Sequence, residues 1–136
     1  MRPRTTKGFH RAEGQFDVLR QLDNPVSFDE QTLTSHFNNE RGERVSLVSS
    51  RVSDPLYSFV VNTGHPHGYE IHTITERAEI VIQNKMTMKV VTVLFARPPQ
   101  INRYWRNLGK KTPNDETFSL VSRYAQNNLD RNLNNI

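Results

Sequence analysis

The chain has no cysteine in 136 residues. Disulfides, thiolate metal sites and cysteine nucleophiles are excluded together, and the composition suits a reducing compartment. No apolar run approaches the roughly 20 residues of a membrane span. The start, Met1-Arg2-Pro3-Arg4-Thr5-Thr6-Lys7, is basic but no apolar stretch follows it, so it does not read as a secretory leader. A cytoplasmic protein that does not engage membrane is expected. The phosphate loop G-x-x-x-x-G-K-[ST], the dinucleotide fingerprint G-x-G-x-x-G, the zinc-protease H-E-x-x-H and the nucleophile elbow G-x-S-x-G are all missing.

What is present is a basic surplus. Eighteen Lys and Arg face fourteen Asp and Glu, for a net charge of +4 and a pI near 9.7. Such a balance favours polyanions, most often nucleic acid, through counterion release, although many small basic domains bind nothing acidic. The length fits one domain, which buries roughly two-thirds of the surface of the unfolded chain.

The first fourteen residues mix Arg, Lys, Thr and Gly with Phe9 alone among the aromatics, and read as a flexible basic arm before a single globular domain over 15–136. Phe16, Val18, Leu19 and Leu22 form a window too short to separate helix from strand. Ser27 with Glu30 is a capping-box pair, which predicts a helix from Phe28 to about Arg41 ended by Gly42. Val45 to Val52 reads as a short strand. From Leu56 to Arg97 the pattern is an antiparallel meander. Leu56–Val61, Glu70–Thr75 and Glu79–Gln83 are strands, and Met88–Phe95 is so continuously apolar that it predicts a central strand buried on both faces. Pro98 and Pro99 suit the first turn of a helix. Ile101, Tyr104, Trp105 and Leu108 then recur at helical spacing. Gly109 ends that helix. Another begins near Pro113-Asn114-Asp115-Glu116, with Phe118, Val121, Ala125 and Leu129 on its buried face and an asparagine-rich tail that frays. The fold class is α+β: N-terminal helix or helices, a meander of about four strands, and C-terminal helices.

Few residues carry chemistry. His65 and His67 lie in one loop with no third ligand in view, a poor metal site. Alternation puts Glu70, His72 and Ile74 on one strand face. A histidine beside a carboxylate fits general acid–base work near neutral pH, and it equally fits a half-exposed strand histidine without a role. Arg97 ends the apolar strand and Arg103 projects from the helix beyond it. The two fit a phosphate clamp, or a pair of solvated guanidiniums over the sheet edge. Thr92 is the one polar residue of the apolar strand. It either bonds within the core or aims its hydroxyl at a phosphate. Simple alternation puts Thr92 and Arg97 on opposite faces, so their convergence requires a bend. Tyr57, Tyr69 and Tyr104, if exposed, offer stacking surfaces for bases.

The stretch Glu70-Ile71-His72-Thr73-Ile74, followed after a hairpin by Thr92-Val93-Leu94-Phe95-Ala96-Arg97-Pro98-Pro99-Gln100-Ile101-Asn102-Arg103-Tyr104, resembles small phage and polymorphic-toxin proteins of the nuclease superfamily that joins barnase, EndoU, the tRNA-cleaving colicins and RelE. The likeness covers about a quarter of the chain. It implies metal-independent, cofactor-free RNA cleavage, in which the ribose 2′-oxygen attacks the adjacent phosphate and leaves a 2′,3′-cyclic phosphate and a 5′-OH. The resemblance implies His72 as acid or base, Arg97 and Arg103 as phosphate stabilisers, and Thr92 as an orienting group. His36 is a further acid–base candidate. The implied partners are RNA, with tRNA among the candidates, and an acidic inhibitor or immunity protein. The implied site of action includes the cytoplasm of a target cell. On the residues alone, a non-catalytic nucleic-acid-binding or partner-binding phage or plasmid protein remains open.

Overall fold

The computed structural model describes residues 16–28, 52–64 and 68–134. The basic arm, the helix expected from Phe28 to Arg41 beyond its first residue, with His36, most of the Val45–Val52 strand, and His65 and His67 lie outside the described residues.

Five strands run in chain order across one antiparallel sheet: β1 (Asp17–Gln21), β2 (Pro55–Asn62), β3 (Tyr69–Thr75), β4 (Glu79–Asn84) and β5 (Val90–Phe95). Two helices follow, α1 (Pro98–Asn107) and α2 (Glu116–Asn134). The α+β class and the meander are as the sequence predicts, with two corrections. The sheet gains a fifth strand, because Phe16–Leu22 supplies β1. A register shift between Val18 and Arg20 breaks its alternation and leaves Leu19 48% exposed, so the window carries no clean strand signal. The apolar run ending at Phe95 is the edge strand of the described sheet, where a central place is expected. Among the described residues it pairs with β4 on one side only, and the chain then leaves the sheet at Pro98. Its apolar character comes from cover on its faces, which is independent of how many strands it pairs with.

One sheet face carries the main core. Phe59, Val61, Ile74, Ile80 and Ile82 pack there against Ile101, Tyr104 and Trp105 of α1 and Phe118, Val121 and Ala125 of α2. Each large side chain so buried contributes about 1.5–3 kcal/mol. The aromatic rings interlock: Trp105 meets Tyr57, Phe59 and Phe118 edge-on with centroids 5.1–5.3 Å apart. On the other face Val81, Val90 and Val93 cluster with Phe28 and Val52.

Local chemistry explains the helix starts. Pro98 and Pro99 occupy the first turn of α1, and the side-chain oxygen of Gln100 accepts the backbone N–H of Arg97 at 2.7 Å. The Asp115 carboxylate accepts the N–H of Phe118 at 2.9 Å and caps α2. Helix α2 continues to Asn134, beyond the point where the asparagine-rich tail suggests fraying. The β3–β4 turn holds Ala78 at φ 63, in the left-handed region, although Ala78 is fully buried.

Two polar latches tie the turn end of the sheet. Buried Glu79 accepts from the N–H and Oγ of Ser53, each at 3.0 Å, and from Oγ1 of Thr75 at 2.7 Å. Buried Asn128 of α2 donates Nδ2 to the carbonyls of Ala78 and Ala96.

Candidate active site

Strand alternation and register bring one line of side chains to the helix-covered face. Glu70 and His72 point there from β3, the middle strand. His72 lies opposite Ile82 of β4, and Ile82 lies opposite Thr92 of β5. Thr92 and His72 therefore share a face, two strands apart, roughly 10 Å by the usual strand spacing.

Helix α1 crosses this face and delivers Tyr104 to His72. The Tyr104 hydroxyl is 2.7 Å from Nδ1, and Glu70 Oε1 is 3.1 Å from Nε2. Glu70, His72 and Tyr104 are all buried. Phe16 closes the site, edge-on to His72 at 5.1 Å and stacked on Tyr104 at 5.5 Å between centroids. The guanidinium of Arg103 lies 5.7 Å from the Phe16 ring centre, close enough for a cation–π contact.

The network constrains the protons it can hold. Burial pushes the Tyr104 phenol well above the ordinary tyrosine range; the positive charge of Arg103 opposes this and the negative charge of Glu70 adds to it. Tyr104 is thus a neutral hydroxyl, able to donate or accept. With Glu70 ionised, its carboxylate accepts from Nε2–H and Nδ1 accepts the Tyr104 O–H. The result is a buried hydrogen-bonded chain from Tyr104 through His72 to Glu70.

The site residues read from sequence divide accordingly. His72 and Arg103 come together around the chain, and Thr92 shares its face. His72 presents neither ring nitrogen to solvent, so any acid–base role runs through Glu70 or Tyr104. Arg97 stands apart: it precedes α1 and lies seven residues before Tyr104, about 10 Å along the helix axis. It also lies roughly 16 Å along the strand direction from Thr92. His36 lies outside the described residues. Among the described residues, no group of three or more His, Cys, Asp or Glu is arranged to hold a metal ion.

Tyr104 is the participant that sequence reasoning missed. It sits in the apolar stripe of α1, where it reads as core, and nothing local shows that its hydroxyl meets a histidine 32 residues earlier. Of the stacking candidates, Tyr104 is buried and Tyr57 half-buried, while Tyr69 is exposed.

No family model, curated protein or solved structure matches the chain. Among the described residues no helix is long and apolar enough to cross a membrane.

Proposed function

We propose that the protein is a metal-independent endoribonuclease whose proton chemistry runs through Glu70, His72 and Tyr104. The observation that supports this reading is the chain itself. Three titratable groups are buried, bonded in series and flanked by a guanidinium, on the strand and helix that carry the nuclease-like motif. Burying such groups is costly unless each is partnered, and a partnered, desolvated cluster of this kind is characteristic of functional sites.

In this reading Arg103 binds the scissile phosphate and offsets the negative charge that grows on its oxygens, with Arg97 holding the strand further along α1 and Thr92 orienting it. The Glu70 end of the chain accepts the 2′-OH proton. The 2′-oxygen forms a bond to phosphorus, the P–O5′ bond breaks, and the 5′-oxygen takes a proton from water while Glu70 returns its own to solvent. His72 holds Glu70 and Tyr104 in register. The basic surplus fits an RNA substrate, and an intracellular inhibitor, if one exists, is expected to be acidic.

A second reading, RNA binding without cleavage, is favoured by one observation: His72 is completely buried. The two separate in a single experiment. Purified protein is incubated with RNA in excess chelator and the ends are analysed. Cyclic phosphate and 5′-OH ends that disappear with Arg103→Met support the enzyme. Intact RNA, bound in a salt-dependent way, supports the binding module.

A further inference from the structure

The basic surplus is not spread over the chain. Between Glu79 and Asp115 there is no acidic residue, and that stretch carries Lys85, Lys89, Arg97, Arg103, Arg106, Lys110 and Lys111. The whole chain is +4 and this stretch alone holds seven cations, so the remainder is net −3. In the fold, the stretch is β4, β5, α1 and the turns that join them.

The β4–β5 turn is the part of this stretch with no evident structural reason for its composition. Lys85, Met86 and Lys89 are exposed, Met86 at 91%. Tyr69 is 48% exposed beside them, and its carbonyl accepts the N–H of Lys85 at 3.1 Å. The turn is nonetheless well fixed. Asn84 Oδ1 accepts from the N–H groups of Met86 and Thr87, each at 2.9 Å, and Lys89 N–H donates to Thr87 Oγ1 at 3.2 Å. Gln83 Nε2 donates to the Met88 carbonyl at 3.0 Å. A hydrogen-bonded tip that exposes an aromatic ring and a thioether beside two lysines is arranged for contact. It stands at the Glu70 end of β3, since Glu70 pairs with Asn84.

We propose that this tip binds an unpaired RNA strand, with Tyr69 stacking on a base and Lys85 and Lys89 holding flanking phosphates, as an extension of the site at Glu70 and Arg103. The inference rests on the reading of the protein as RNA-directed. RNA fits better than an apolar protein surface because the exposed aromatic and methionine lie beside cations of this long acid-free stretch. An unpaired strand fits better than a duplex because stacking needs an accessible base face.

The test measures binding of a labelled 2′-O-methyl strand, which cannot be cleaved, between 50 and 200 mM salt. Lys85→Gln/Lys89→Gln is expected to lower the slope of log affinity against log salt by about 1.4, near 0.7 for each phosphate no longer neutralised. Tyr69→Ala is expected to weaken binding about tenfold while Tyr69→Phe retains it. All these positions are exposed, so the fold is expected to survive, and a matched urea midpoint checks this. A wild-type slope in the lysine variant, wild-type affinity in Tyr69→Ala, or tighter binding of duplex than of single strand overturns the proposal. Cleavage that persists with tip variants binding as wild type overturns this inference alone. Tip-dependent binding without cleavage leaves it standing and removes the enzyme reading.

Discussion

The Tyr104 hydroxyl lies 2.7 Å from Nδ1 of His72, and this contact joins helix α1 to the middle strand of the sheet. It is buried, it is non-local, and it completes a chain that ends on Glu70. Stability and the proposed chemistry therefore depend on the same three side chains, and the two dependences are separable.

Tyr104→Phe keeps the ring in the core and deletes the oxygen. It leaves Nδ1 of His72 buried without its partner, at a cost of about 1–3 kcal/mol. Removing the other side as well, in His72→Leu/Tyr104→Phe, is expected to cost less than the sum of the single changes. Urea denaturation of the four proteins in the double-mutant cycle checks this, and strict additivity would count against the bond.

The alkaline limb of stability follows from the same phenol. Tyr104 has its folded pKa raised, by burial first. A raised pKa means that the folded state keeps a proton which the unfolded state loses above about pH 10. Its contribution is complete below that pH and declines above it. Tyr57, raised by burial and by the Asp115 carboxylate, acts in the same direction. Tyr104→Phe should flatten the fall in urea midpoint between about pH 9 and 11; an unchanged fall would place its origin elsewhere.

The Glu79 latch predicts a purely structural effect. One carboxylate oxygen accepts three bonds from Ser53 and Thr75. Glu79→Ala strands those donors and is expected to destabilise by about 2–3 kcal/mol. Because this latch sits at the turn end of β3 and β4, away from Glu70, RNA binding by the folded variant should match wild type. A specific loss of binding at matched stability would contradict that separation.

Asn128 gives a test of how α2 docks. Its Nδ2 reaches the carbonyls of Ala78 and Ala96, 50 and 32 residues away in sequence. Asn128→Leu leaves Ala96 without that donor and should lower the urea midpoint by an amount equivalent to about 1–3 kcal/mol. Asn127→Leu, at an exposed neighbouring position, should change little.

These residues also mark what was legible in the sequence. The meander and the stripe Ile101, Tyr104, Trp105 were readable because both are local periodicities. Phe118, Val121 and Ala125 were readable on α2 for the same reason. Asn128 was not, since its polarity hides a core position that two distant carbonyls explain. The edge place of β5 among the described strands was unreadable because an apolar run reports cover on two faces and says nothing of neighbours in the sheet. The pairing of Glu70 with His72 followed from alternation. Their link to Tyr104, and the separation of Arg97 from them, depended on where α1 crosses the sheet.

The most direct test of the account is the single-turnover rate of RNA cleavage in excess chelator by wild type and by His72→Gln, compared at equal folded fraction. The account predicts cleavage by wild type, with 2′,3′-cyclic phosphate ends, and a loss of about 10²-fold or more in His72→Gln. Intact RNA with the wild-type protein, or an undiminished rate in the variant, would contradict it.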